Sequence, residues 1–171
     1  MKNLTFRQVS KSLYQIFLCV MIGISFAACS SNTSSSDDGD NNESPPAATA
    51  DVVITVDNVG TTAWEITNVE GDDNAAEENV NNTTIMLEEN LRYRFVNNGG
   101  LTAHPFGFQD SNDAYLLAQG DRKGSFEESD GVDFESDDEG ITFTLTPALA
   151  DQIASYNCQI HVSMEGNITI R

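Results

Sequence analysis

The sequence predicts an all-β domain, an antiparallel sandwich or barrel, on three observations. From residue 51 onward the chain divides into short segments rich in Val, Ile, Thr and aromatic residues, with partial alternation of apolar and polar positions. Clusters of Gly, Asn and Asp separate these segments, as turns require. A single segment has a helical pattern. Many short strands with turn signals between them are typical of sandwiches and barrels.

Eight segments carry the strand pattern. They are DVVITV (51–56), TTAWEITNV (61–69), TTIMLEE (83–89), LRYRFVNN (91–98), HPFGF (104–108), AYLLA (114–118), ITFTLT (141–146) and NITIR (167–171). The helical segment is 146–156, in which Thr146 can cap the first turn and Pro147 suits its start, so we expect one or two turns. The acidic, glycine-bearing segments 70–82 and 127–140 predict solvated loops, since neither has the spaced carboxylates of a calcium loop.

The N-terminal residues have the pattern of an export signal. Residues 1–28 contain three basic and no acidic residues, and an apolar run leads up to Cys29. The motif FAAC resembles the lipobox of bacterial lipoproteins, which implies lipidation of Cys29; an ordinary signal peptide cut near Ala28 is the alternative. Residues 29–50 are a polar Ser-, Asp- and Pro-rich sequence, typical of a disordered tether. We therefore expect domain 51–171 outside the cytoplasm, anchored to the cell-envelope membrane.

The charge of the chain excludes some partners. The chain has 8 basic and 27 acidic residues, a formal charge of −19. Without residues 1–28, five basic and 27 acidic residues remain, a formal charge of −22. Nucleic acid and anionic lipid are therefore excluded as electrostatic partners. Lys123 is the only lysine beyond residue 28, and such acidic, lysine-poor composition resembles that of proteins from salt-loving organisms; an acidic docking face for a basic partner is the alternative.

A possible metal site stands out near the end of the chain. In YNCQIHVSMEGNITI, Cys158, His161 and Met164 are spaced three residues apart, and His104 is the only other histidine. An exported domain with one cysteine cannot form an internal disulfide, so the thiol needs another explanation. Two imidazoles, a thiolate and a weak thioether form the blue-copper arrangement. Zinc is the alternative metal, but methionine is a poor zinc ligand, so we expect copper.

The segment NCQIHVSMEGNITI resembles the C-terminal ligand loop of the cupredoxins, the small blue copper proteins. FVNNGGLTAHPF is similar to their upstream segment, in which two asparagines precede the first histidine ligand. The resemblance covers residues 51–171 and implies an antiparallel Greek-key β-sandwich with one short helix. It implies that His104, Cys158 and His161 are equatorial copper ligands and that Met164 is the axial one.

The resemblance implies a single-electron carrier rather than an enzyme. Cupredoxin domains in copper oxidases and nitrite reductases require further histidines, which this chain lacks. By resemblance, electrons pass through the edge of His161, and the apolar patch around it is expected to contain Leu101, Pro105, Phe106 and Val162. We expect a monomer that docks transiently on a cytochrome or oxidase domain. The alternative is copper storage, delivery or sensing in the envelope, although the usual methionine- or histidine-rich tracts are absent.

One position departs from the cupredoxin pattern and gives a first prediction. Many cupredoxins follow the first histidine with asparagine, whose backbone N–H donates to the cysteine sulfur. Here Pro105 has no N–H, so we expect one hydrogen bond fewer at the sulfur and a lower reduction potential. Pro105→Asn is expected to raise the potential, measured by voltammetry with Pro147→Ala as the control. An unchanged potential would contradict this explanation.

Overall fold

The computed structural model of the protein describes residues 49–171. Within them lie two five-stranded sheets, ordered β2-β1-β4-β8-β7 and β3-β10-β9-β5-β6. The elements are β1 (Val52–Val59), β2 (Ala63–Glu70), β3 (Ile85–Leu87), β4 (Arg92–Asn97), β5 (Phe106–Gln109), β6 (Tyr115–Ala118), β7 (Glu135–Asp137), β8 (Gly140–Thr144), α1 (Pro147–Ala150), β9 (Ser155–Cys158) and β10 (Glu165–Ile170). The all-β prediction is confirmed.

The short helix α1 follows the sequence prediction. The side chain of Thr146 accepts a hydrogen bond from the backbone N–H of Leu149, and Pro147 begins the first turn. Pro147 lacks an N–H, which costs nothing at a position where that donor has no helical partner. The helix ends at Ala150, so it contains one turn of the segment 146–156.

The sheets are mixed, which differs from the expected antiparallel arrangement. Strands β1 and β4 pair in parallel, as do β10 and β3. The cause is the path of the chain: β2 returns beside β1 as a hairpin, β3 then joins the other sheet, and β4 comes back to the free edge of β1. The remaining pairings are antiparallel, among them β5 with β9 and β9 with β10.

Two strands were not predicted, for opposite reasons. Strand β7 lies within 127–140, which was predicted as a loop, and its three residues are exposed. It pairs with β8, and ion pairs of 2.9 Å and 2.8 Å join Arg92 to Glu135 and Arg94 to Asp137. Strand β9 is instead buried throughout, between β5 and β10. Strand β7 has no apolar residue, and β9 alternates over only four residues, two of which lie in the segment 146–156 that was predicted as helical.

The apolar core lies between the sheets and contains side chains from both. Phe95 of β4 packs with its ring centroid 5.5 Å from that of Phe106 and 5.0 Å from that of Phe108, both in β5. Trp64 of β2 lies with its ring centroid 5.4 Å from that of Phe106. Such offset and edge-to-face contacts add to the free energy gained by burying the rings. This aromatic cluster lies beneath the end of the sheet at which β5 begins and β9 ends.

Several predictions lie outside the described residues. They are the signal peptide 1–28, the lipidation site Cys29 and the tether 29–50 except its last two residues. Among residues 49–171, no helix has the length and apolar character needed to cross a membrane.

Candidate metal centre

The loop that follows β9 is closed by its own backbone. Cys158 is the last residue of β9, and its N–H donates to the carbonyl of Met164 over 2.9 Å. The N–H of Met164 in turn donates to the carbonyl of His161 over 3.0 Å. These two bonds fold residues 158–164 into a tight turn between β9 and β10. The turn brings two of the predicted ligands, Cys158 and His161, next to each other.

A second turn, between β4 and β5, supplies His104. The N–H of His104 donates to the carbonyl of Gly100 over 2.8 Å, and β5 then begins at Phe106 directly opposite Cys158. Gly99 allows this turn to pack closely, because a Cβ at that position would lie 3.0 Å from the ring of Trp64 and 3.2 Å from the Cβ of His104. The sheet register therefore brings the two turns together.

The three side chains converge at distances that suit one metal ion. The sulfur of Cys158 lies 3.8 Å from Nδ1 of His104 and 3.6 Å from Nδ1 of His161. One donor atom from each of these residues lies within 4.8 Å of the others. Donors bound to one ion at roughly 2.0–2.1 Å for nitrogen and 2.3 Å for sulfur are about 3.5 to 3.8 Å apart at bond angles near 110 to 120°. The observed sulfur–nitrogen distances match that range.

The burial of His104 favours the metal-binding form of its ring. Cys158 and His104 are buried, and His161 is half-buried at the surface. Burial, and to a smaller extent the charge of His161, lowers the pKa of His104 below its ordinary value of 6.5. At neutral pH the ring is therefore neutral, the form that ligates metals. Met164 is fully buried at the end of the same turn.

The structure corrects one member of the predicted apolar patch. Phe106 is 0 % exposed and packs among Trp64 and Phe95, so its place in a surface patch is wrong. It is the first residue of β5, and the pleat turns its side chain into the core. Val162 is 89 % exposed, and Leu101 and Pro105 are half-buried. Ile160, 56 % exposed beside His161, was not predicted for the patch.

Sequence analysis missed two side-chain amides near the site, Gln119 and Gln159, and noted Asn97 only as one of two asparagines upstream of His104. Asn97 and Gln119 are buried, and Gln159 is half-buried. The Nδ2 of Asn97 donates to the carbonyl of His104 over 2.8 Å. A weak signal exists in the sequence, because Gln119 directly follows an apolar strand and Gln159 stands between two predicted ligands. Neither pattern identifies a partner, since the partners lie far away in the chain.

Comparison with known proteins adds no identification. The chain matches no protein family, and it matches no curated protein in sequence. The resemblance to cupredoxins therefore remains a prediction from the ligand motif. The clustering of His104, Cys158 and His161 is a separate observation, made from the fold.

The buried position of His104 predicts a pH-dependent stability of the metal-free chain. As the pH falls, His104 takes up a proton at a higher pH in the unfolded chain, where its pKa is the ordinary 6.5, than in the folded chain. The contribution of the neutral ring to the free energy of unfolding is therefore fully present above pH 6.5. It decreases as the pH falls from 6.5 through the lowered folded-state pKa. In an NMR titration, we expect the His104 ring to titrate below 6.5, with the urea-unfolded chain as control. A folded-state midpoint at or above the unfolded one would contradict the prediction.

Proposed function

We propose that this protein is a single-electron carrier with one type 1 copper site, similar in design to the cupredoxins. The observation that carries the proposal is the cluster of one thiol and two imidazoles, with His161 half-buried and the other two residues buried, and with sulfur–nitrogen distances of 3.6 Å and 3.8 Å. Cys158, His104 and His161 would hold the ion, with Met164 as a weak fourth ligand. Copper bound there would supply the one-electron couple, since thiolate and thioether favour Cu(I) while imidazole also suits Cu(II).

Electron transfer fits this ligand set better than catalysis does. With four protein donors, a mononuclear ion has no open position for a substrate. The chain also has no histidine beyond His104 and His161 with which to build a second copper centre. The role of the protein is then to keep the donors in place while the charge of the ion changes.

Three segments at the metal end of the sandwich carry no formal charge. Residues 58–62, 98–105 and 159–164 contain no Asp, Glu, Lys or Arg, although the chain has 27 acidic residues. The three segments are neighbours in the fold. The hydroxyl of Ser163 donates to the carbonyl of Thr61 over 2.9 Å, and the backbone N–H of Gln159 donates to the carbonyl of Pro105 over 2.9 Å. We call these three segments the charge-free face.

The charge-free face also exposes apolar side chains. Val59, Ile160 and Val162 are 37 %, 56 % and 89 % exposed. Leu101, Pro105 and Ile160 line a groove of about 630 Å³, and Asp121 and Arg122 also line it, so charged residues border the charge-free face. Apolar patches of this kind mark interaction sites on soluble proteins. A redox partner, such as a cytochrome or oxidase domain, would dock here through apolar contact, which salt weakens far less than it weakens attraction between charges.

The proposal includes a position at the cell envelope. Its support is the basic, then apolar N-terminal sequence followed by FAAC and a polar tether. A lipid at Cys29 would confine the carrier to a membrane surface, where the tether lets domain 51–171 reach its partners.

The first test is the visible absorption of the full-length chain with one equivalent of Cu(II). We expect an intense blue or green band, because charge passes from the Cys158 thiolate to Cu(II), and we expect ascorbate to bleach it. Cys158→Ser should abolish the band. Cys29→Ser, the matched control, should retain it.

The outcomes separate the proposed function from its alternative. A chain that binds copper without an intense visible band would contradict electron transfer and favour copper storage or delivery. A chain that binds no copper would exclude both functions.

The charge-free face yields a further prediction. Val162→Glu places a carboxylate beside His161, and we expect it to slow electron self-exchange between Cu(I) and Cu(II) copies at least about tenfold, because the charge must be desolvated on contact. Gln152→Glu, an equal charge change on an exposed residue just after α1, is the control. Self-exchange is measured by NMR line broadening in 1 M salt, where the Debye length is about 3 Å and net charge matters little. Equal rates in the two variants would mean that copies do not meet through this face.

A further inference from the structure

A glutamine side chain lies at the centre of the polar contacts next to the proposed metal site. Gln119 directly follows β6 and is fully buried. Its Oε1 accepts hydrogen bonds from Nδ2 of Asn97 over 2.8 Å and from the N–H of Phe106 over 3.2 Å. Its Nε2 donates to the carbonyl of Asp137 over 3.0 Å. Both ends of the amide are therefore satisfied, which a fully buried amide requires.

These bonds connect the two sheets at the metal end of the sandwich. Phe106 and the strand before Gln119 belong to one sheet, while Asn97 and Asp137 belong to the other. The contacts between the sheets are otherwise largely apolar and lack direction. Hydrogen bonds have a preferred length and angle, and they are stronger in such a low-dielectric interior. Gln119 thus fixes the relative position of the sheet ends where non-directional packing alone would not.

A second glutamine connects the cysteine loop to the histidine segment. Gln159 directly follows Cys158, and its Nε2 donates to the carbonyl of Phe106 over 2.9 Å and to that of Gln119 over 2.8 Å. Its backbone N–H donates to the carbonyl of Pro105 over 2.9 Å. The residue beside the thiol therefore holds the two residues that follow His104.

We propose that Gln119 and Gln159 form a metal-independent clamp that positions His104 relative to Cys158. Every bond of the clamp joins protein groups, and none passes through an ion. The clamp therefore sets the sulfur–nitrogen distance before a metal binds and resists its change afterwards. Both glutamines are positioning residues, since neither supplies a donor atom to the site. The proposal rests on the proposed function only for the identity of the ion.

The decisive test uses the metal-free, full-length chain. Iodoacetamide alkylates a cysteine only when its thiol is accessible, and peptide mass spectrometry measures alkylation at Cys158 separately from Cys19 and Cys29. Gln159→Met keeps the size of the side chain but removes its two donated hydrogen bonds. We expect the alkylation rate of Cys158 to rise about 10- to 30-fold, because each bond lost makes local opening a few-fold more frequent.

The matched control is Gln109→Met, in the same strand as Phe106. Gln109 is also a buried glutamine, but its Nε2 donates to the carbonyl of Asp113 over 2.8 Å, away from the histidine segment. After correction for global stability by urea unfolding, its alkylation rate should stay within about threefold of the parent rate. Gln119→Met should behave as Gln159→Met does; if it does not fold, Gln159→Met alone decides.

A second measurement tests positioning rather than stability alone. With Cu(II) bound, Gln159→Met should shift the visible band and the EPR hyperfine splitting of the parent, and Gln109→Met should leave both unchanged. These signatures depend on the geometry of the donors around the ion and not on global stability.

Each outcome decides between the proposals. Equal alkylation rates in Gln159→Met and Gln109→Met overturn the clamp. Faster alkylation with an unchanged copper spectrum overturns its positioning role. Faster alkylation in a chain that gives no coloured Cu(II) complex supports the clamp and overturns only the copper proposal.

Discussion

The antiparallel pairing of β5 with β9 places Phe106 directly opposite Cys158, and the metal end depends on that register. A shift of one residue between paired strands would turn every side chain of β9 to the other face of the sheet. The thiol would then point away from His104, which lies two residues before Phe106. The register is stabilised by Tyr156 of β9, whose buried ring lies with its centroid 5.8 Å from that of Phe106 and would leave the core after a one-residue slip. Core packing and site geometry are therefore linked through a single strand pair.

Much of the fold and the site follows from local sequence. The alternation in β1 and β4 and the capped, proline-started turn of α1 are local patterns, and the structure contains all three elements. The spacing of Cys158 and His161 is also local, because one tight turn suffices to bring the two side chains together. His104 is far away in sequence, and its histidine chemistry rather than any spacing made it a candidate.

The parts that sequence analysis missed depend on pairing between distant segments. Strand β7 has no apolar residue and exists because β8 and two arginines hold it. Gln119 looks like the polar end of a strand until Asn97 and Asp137 are placed beside it. The burial of Phe106 follows from a local pattern, since Phe106 and Phe108 are two residues apart and share one face of a strand. The cupredoxin resemblance instead implied a surface position for Phe106, which that pattern contradicts.

Within residues 49–171, three buried side-chain atoms have no hydrogen-bond partner within the protein: Trp64 Nε1, Asn97 Oδ1 and Asn157 Oδ1. All three belong to residues that contact His104 or adjoin Cys158. These three atoms are therefore concentrated at one end of the sandwich. Elsewhere, surface residues of the sheets and acidic loops can be substituted without disturbing that end, as long as the core remains filled. Adaptation of the surface to a new ionic environment and conservation of the site are, in this architecture, separable traits.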